Sequence, residues 1–243
     1  MATIRVPDEV PSPAQDSETL NKAFRGWGTD EKAIIRVLGK RNESQRKRIR
    51  ESYREIYGKD LLDDLSSELS GDFKKAVILW TKDPAERDAR LANKVLNDKK
   101  KTIEKLKIIV EISCTASPKH LIAVRKAYCS LYDSSLEEHI ASSVPDVDGC
   151  PGDADLRNLL QMVILCLEFP EKHFAKVVHD SIEGFGTDED SLTRAIVTRA
   201  EIDLMKVRGA YFNMYNASMD NAIIGDVSGD YKDFLMTLLG SKI

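Results

Sequence analysis

The first and last thirds of the chain are copies of one another. Sliding the sequence by 158 positions lays Gly26-Trp27-Gly28-Thr29-Asp30-Glu31 on Gly184-Phe185-Gly186-Thr187-Asp188-Glu189 (184 − 26 = 158). Without a gap, the same shift pairs Arg36 with Arg194, Arg41 with Arg199, Arg50 with Arg208, Tyr53 with Tyr211, Tyr57 with Tyr215, and Gly71-Asp72 with Gly229-Asp230. The fold must therefore contain one unit twice, and repeats of ~70 to 85 residues usually stack so that neighbours share apolar faces.

A third, weaker copy lies between them and shows itself through its apolar spacing. Ile34, Val37 and Leu38 correspond to Leu106, Ile109 and Val110 in the middle and to Leu192, Ala195 and Ile196 in the last copy. Each trio has the i, i+3, i+4 spacing of a buried helical stripe. The next helix repeats the pattern: Ile49, Tyr53, Ile56 and Tyr57 match Val124, Tyr128, Leu131 and Tyr132, then Val207, Tyr211, Met214 and Tyr215. Lying on that apolar face, the tyrosines read as core residues rather than catalysts. Apolar helices close the modules near proline, Phe73 to Trp80 before Pro84 and Leu156 to Leu167 before Pro170, and such prolines fit the first turn of a following helix. No Asn-Gly or Asp-Gly hairpin turn joins alternating runs, so the expected fold is a compact all-α array of about five short helices per module.

In each outer copy a carboxylate stands 42 residues past the first glycine of the loop: Glu68 (68 − 26) and Asp226 (226 − 184). Two glycines separated by one residue permit a tight turn that aims several carbonyls at one point, and a carboxylate folding back adds charge. Such a cage of hard oxygens suits Ca2+. Each turn also carries a large apolar residue, Trp27 or Phe185, where a solvated loop would be polar, which marks these two as membrane contacts. Taken singly, Gly-x-Gly-Thr also describes a glycine turn before a Thr-capped helix, with Thr187 and Asp190 in a capping-box-like pattern. Duplication of loop, aromatic and distant acid favours the cation site. The middle copy has Asn97, Asp98, Lys99, Lys100 and Lys101 at the loop position and Ser143 in place of Glu68, so calcium is not expected there.

The net charge of −4 lacks the basic excess of a general nucleic-acid binder. An acidic protein approaching acidic lipid needs a local basic patch or a bridging cation, and calcium supplies one. The first sixteen residues contain no signal-peptide pattern, and the longest apolar run, Met162 to Leu167, is far below the ~20 residues that cross a bilayer. The expected location is cytoplasmic, peripheral to membranes when calcium rises. Cys114, Cys129, Cys150 and Cys166 show no C-x-x-C spacing and read as reduced thiols. His120, His139, His173 and His179 show no metal-ligand spacing and read as surface or packing residues. Asp146-Val147-Asp148-Gly149 hints at an EF-hand loop, but Arg157 stands where the closing Glu belongs. Asp226-Val227-Ser228-Gly229 matches D-x-x-G, yet no phosphate-binding G-x-x-x-x-G-K-[ST] loop accompanies it.

The two Gly-x-Gly-Thr-Asp-Glu loops with Glu68 and Asp226, the Arg-rich and Tyr-rich helical repeats, and the N-terminal Ala2-Thr3-Ile4-Arg5-Val6-Pro7 resemble the annexins, and most closely the plant annexins. The resemblance covers essentially the whole chain. It implies calcium-dependent binding to acidic phospholipids, with no catalysis. It also implies a ligand set: the carbonyls of Phe24, Gly26 and Gly28 with the Glu68 carboxylate, and those of Ile182, Gly184 and Gly186 with Asp226. The alternative is a cytosolic enzyme, peroxidase-like or nucleotide-hydrolysing, on the same scaffold. Against a haem role, Lys40-Arg41-Asn42 occupies the region where the peroxidase reading of some plant annexins places a histidine.

The family resemblance implies four repeats, and this chain has room for three. After Ser142-Ser143-Val144 it passes through residues 145–153 into what resembles the end of a third repeat. The expected organisation is an N-terminal segment (1–15), repeat I (16–82), a hybrid of repeat II and the end of repeat III (83–170), and repeat IV (171–243). Two intact five-helix modules thus flank one hybrid module. A module face left without its usual partner leads us to expect self-association.

Overall fold

The computed structural model describes residues 1–26, 28–98, 103–143, 153–184 and 186–241. Its helices run, in chain order, α1 (Pro13–Ala23), α2 (Glu31–Leu38), α3 (Glu43–Tyr57), α4 (Leu61–Glu68), α5 (Gly71–Thr81), α6 (Pro84–Leu96), α7 (Ile103–Thr115), α8 (Pro118–Tyr132), α9 (Leu136–Ser143), α10 (Asp153–Glu168), α11 (Pro170–Ile182), α12 (Glu189–Arg199), α13 (Leu204–Tyr215), α14 (Met219–Asp226) and α15 (Gly229–Leu238). Among the described residues there is no β-strand, as the helical spacing predicts. The helix starts follow local chemistry. Ser12 and Asn42 form capping boxes with Gln15 and Gln45, Asp83 caps α6, and Pro84 and Pro170 each open a helix.

Two units can be distinguished. The first comprises Met1–Lys82 with Phe174–Ile243, and the second Asp83–His173.

The first unit is built from the two strong copies around one shared core. The stripe residues Ile34, Val37, Leu38, Leu192, Ala195 and Ile196 are all buried in it, with α5 packed on α12 and α15, and α15 on α2. Trp80 is fully buried, donating its indole N–H to the Leu38 carbonyl at 2.8 Å, with the Arg46 guanidinium 3.5 Å above its ring. Arg46 also reaches Glu201 of the other copy at 2.7 Å, so one side chain joins an aromatic core to an ion pair across the repeat. Arg41 forms a buried two-pronged pair with Asp16 (2.7 and 2.8 Å). Its copy Arg199 finds Phe174 where Asp16 would be (16 + 158 = 174), stacks over that ring at 4.7 Å, and pairs with Asp203 instead. The chain's start is strapped to the last copy: the Thr3 N–H donates to the Ala200 carbonyl (2.9 Å) and its hydroxyl to Leu238 (2.6 Å).

Tyr53, Tyr128 and Tyr211 are buried, as expected, but Ile56 and Met214 are not. They are 50% and 43% exposed because the buried face of these helices centres on the tyrosines, and both residues fall past its edge in the last turn.

The second unit has a smaller core of Ala89, Ala92, Leu96, Val124, Tyr128 and Leu136, drawn from α6, α8 and α9. Here Leu106, Ile109 and Val110 are only half-buried, unlike their outer counterparts. Helix α10 packs on α7 through the side bearing Met162 and Cys166, while Leu156, Leu160, Ile164 and Leu167 face outward.

Candidate functional site

Both Gly-x-Gly loops lie between the first two helices of an outer copy, and both are closed in the same way. The Asp30 N–H donates to the Ala23 carbonyl at 3.0 Å, and the Asp188 N–H to the Ser181 carbonyl at 2.8 Å. Within the loops Gly26 and Gly28 take φ of 144° and 92°, and Gly184 and Gly186 take 115° and 94°. An added Cβ would meet nothing closer than 4.0 Å at any of the four, so backbone angle rather than crowding requires glycine. Phe24 and Ile182, at the loop entrances, pack part of their side chains against the core, which anchors the backbone carrying the first expected carbonyl ligand. Trp27 and Phe185, the expected membrane contacts, lie outside the described residues, as do Lys99 to Lys101 and the Asp146 to Gly149 stretch.

The residue that caps the helix after each loop is not threonine. Asp30 accepts from the Ala33 N–H at 2.9 Å and Asp188 from the Ser191 N–H at 3.0 Å. The capping pattern weighed for Thr187 as the alternative to a cation site is thus not the one used: an aspartate outcompetes the hydroxyl for the orphan amides, being the stronger acceptor one position nearer. That frees each threonine for another bond. The Thr187 hydroxyl donates to an Asp226 carboxylate oxygen, and the Thr29 hydroxyl to the Glu68 carbonyl (3.2 Å) and carboxylate (3.5 Å). Each carboxylate, on the last residue of α4 or α14, is thereby held at the loop 39 positions earlier in sequence. Sequence reasoning named the carboxylates and glycines but missed the threonines, whose only signal was their place after the second glycine.

Among the described residues, no group of three or more His, Cys, Asp or Glu side chains is arranged to hold a metal ion. Each loop has instead a distant carboxylate held against it, Glu68 or Asp226, besides its own backbone oxygens, and an oxygen-only set suits a hard cation such as Ca2+. In the second unit Ser143 directs its hydroxyl to the Leu96 carbonyl at 3.5 Å and supplies no charge.

The two loops' carboxylates line one cleft of about 380 Å³ within the first unit. Six acids face it in three pairs related by the 158-residue shift: Glu31 with Glu189, Glu68 with Asp226, and Asp72 with Asp230. At its margin Lys75 bridges Asp72 (2.9 Å) and Asp190 (3.1 Å), and these bonds raise the lysine pKa further above its ordinary range. Tyr231, also in the wall, has its pKa raised by burial and stays a neutral donor, its oxygen 2.8 Å from the Thr193 hydroxyl. A concentration of carboxylates on one surface disfavours approach to anionic lipid unless cations intervene.

The histidines occupy structural positions. His120 meets Asp88 at 2.7 Å, His173 meets Glu111 at 2.9 Å, and His179 stacks on Tyr215 with ring centroids 3.7 Å apart. Arg41 and Asn42, in the region weighed for peroxidase chemistry, serve as a buried ion-pair partner and a helix cap.

Comparison with known proteins gives a consistent picture. The family model described as Annexin matches residues 15–80 and 173–238, two stretches separated by the same 158 positions as the internal copies (173 − 15 = 158). Annexin D3 of Arabidopsis thaliana is 63% identical over 321 aligned positions, covering all of both chains. Annexin-like protein RJ4 of Fragaria ananassa is 38% identical, covering 94% of this chain and 96% of its own. Among solved structures, a mutant of annexin A8 superposes with a TM-score of 0.87 at 26% identity, covering 99% of this chain and 98% of that one.

Proposed function

The chain belongs to the annexin family, and on that premise we propose that it binds acidic phospholipid membranes when calcium is present. The observation that carries this reading is the doubled Thr-to-carboxylate closure, Thr29 to Glu68 and Thr187 to Asp226, over loops whose glycines adopt positive φ.

In this reading the carbonyls of Phe24, Gly26 and Gly28 with the Glu68 carboxylate hold one Ca2+, and those of Ile182, Gly184 and Gly186 with Asp226 hold a second. A bound Ca2+ supplies positive charge that protein oxygens and lipid phosphate can share. The chain's own residues perform the rest. The glycines set the turn, Asp30 and Asp188 fix where the next helix begins, and the threonines keep each carboxylate at its loop before the ion arrives. That preorganisation lowers the ordering cost of binding. Trp27 and Phe185 add apolar contact at the lipid interface.

Among the described residues no helix is long and apolar enough to cross a membrane. A peripheral mode of attachment, cytoplasmic at low calcium, fits that observation. We also propose that the chain carries two intact repeats flanking a hybrid one. The alignment with Annexin D3 supports this reading, since 321 positions against 243 residues leave at least 78 (321 − 243) without a counterpart here. The enzymatic alternative gains no support from the residues weighed for it, because Arg41, Asn42 and the histidines are engaged structurally.

Co-sedimentation with phosphatidylserine vesicles across a calcium titration tests the proposal, with phosphatidylcholine vesicles as control. Binding to the acidic vesicles that is reversed by a chelator is the expected result. Equal binding with and without calcium, or to both lipids alike, would refute it.

A further inference from the structure

The outward face of α10 carries a continuous apolar stripe. Leu156, Leu160, Ile164 and Leu167 are 47%, 54%, 57% and 62% exposed, whereas Met162 and Cys166 on the opposite side are buried. At about 100° per residue the four fall within a sector of roughly 80°, a single seam running along the helix. A row of four large aliphatic side chains half in water is not an ordinary scatter of surface residues.

The charges beside the seam are arranged so that it complements its own reverse. Arg157 near the N-terminal end and Glu168 at the C-terminal end are both exposed and lie on the same flank, at roughly 100° and 120° from Leu156. When two helices pair antiparallel about a two-fold axis, like flanks meet, so Arg157 of one copy faces Glu168 of the other. The same operation sets Leu156 against Leu167 and Leu160 against Ile164 (156 + 167 = 323; 160 + 164 = 324; 157 + 168 = 325). One register thus satisfies both the apolar pairs and the two ion pairs. A flat anionic lipid surface would suit Arg157 but repel Glu168, which favours a second copy as the occupant.

We propose that α10 is a self-association surface through which two copies of this chain pair antiparallel about a two-fold axis. It does not use the calcium loops, so it stands or falls apart from the membrane-binding reading. The seam is smaller than the ~800 Å² that a standard partner covers, so the dimer is weak, with a Kd on the order of 100 µM.

Sedimentation equilibrium of the full chain across a concentration series, without calcium, reads this directly. A monomer–dimer equilibrium is expected, and Leu160→Glu with Ile164→Glu should weaken it at least about tenfold. Arg157→Glu and Glu168→Arg should each weaken it about fivefold by setting like charges opposite one another, and the double reversal should restore it. These surface changes spare the buried side of α10, and circular dichroism checks the fold. A chain that stays monomeric at ten times the expected Kd overturns the proposal. Association indifferent to the single reversals, or not rescued by the double one, overturns it equally. So does loss of vesicle binding on Leu160→Glu with self-association unchanged, which would assign the seam to lipid.

Discussion

Thr187 donates its hydroxyl to the carboxylate of Asp226, joining the loop of the last copy to the end of a helix 39 residues away. In the first copy the equivalent contact from Thr29 to the Glu68 carboxylate is longer, at 3.5 Å, and is shared with the Glu68 carbonyl at 3.2 Å. The two sites are therefore unequally preorganised. Removing one such hydroxyl should cost about 1 kcal/mol of ion affinity, a factor of roughly five. Thr187→Val should raise the calcium concentration for half-maximal vesicle binding by about that factor, and Thr29→Val by less. Isothermal titration with calcium in the presence of phosphatidylserine measures both, and equal effects would remove the proposed asymmetry.

Glu68→Gln and Asp226→Asn keep the shape of each side chain while removing the charge of the carboxylate that the threonine holds at each loop. Each should weaken calcium-dependent vesicle binding, and the two together should nearly abolish it, since mainly carbonyls and lipid phosphate remain to hold the ion. A double variant that sediments with acidic vesicles like the unaltered chain at every calcium level would show that the ligands lie elsewhere.

Much of this was legible in the sequence because the chain repeats itself. The 158-residue shift located the loops, their glycines and the two carboxylates, and the 3.6-residue spacing located the buried stripes around Ile34 and Leu192. What escaped was whatever depends on competition or on a missing neighbour. For Thr187 the sequence offered only a capping pattern to weigh against the cation site, whereas in the fold Asp188 takes the cap and the Thr187 hydroxyl goes to Asp226. Helix α10 read simply as apolar, since periodicity records which residues are greasy and not whether anything covers them. Three pairs of acids lining one cleft were likewise invisible until the two copies were brought face to face.

Trp27→Ala and Phe185→Ala should each lower vesicle affinity while leaving thermal stability unchanged. A large aromatic moved into the lipid interface contributes on the order of 1 to 3 kcal/mol, about 5- to 150-fold in affinity. The chain's second tryptophan makes the check cleaner. Trp80 is fully buried and hydrogen-bonded, so its emission should not move on lipid binding. A calcium-dependent blue shift with phosphatidylserine vesicles that vanishes in Trp27→Ala is the expected signature. Binding at full strength with no shift would place Trp27 in water.

Helices α6 and α8 of the second unit should lose protection in acid in a segment-by-segment exchange experiment, and Asp88 is the reason. Its carboxylate is buried between Arg87 at 2.8 Å and His120 at 2.7 Å. Burial alone would raise its pKa, but the attraction of Arg87 and the bond to His120 outweigh burial and hold it below the ordinary 3.8. A group with a depressed folded pKa binds fewer protons folded than unfolded, so its contribution is fully present above pH 3.8 and is lost as pH falls through the lower folded value. Hydrogen exchange of α6 and α8, corrected for intrinsic rates, should therefore show protection that is steady from pH 6 to about 4 and declines below. Asp88→Asn removes one partner of a buried charge pair and should cost about 3 kcal/mol at pH 6. Its protection should fall less steeply in acid, so the two curves converge as the unaltered carboxyl takes up its proton. Parallel curves at every pH would mean that Asp88 stabilises the unit by packing alone.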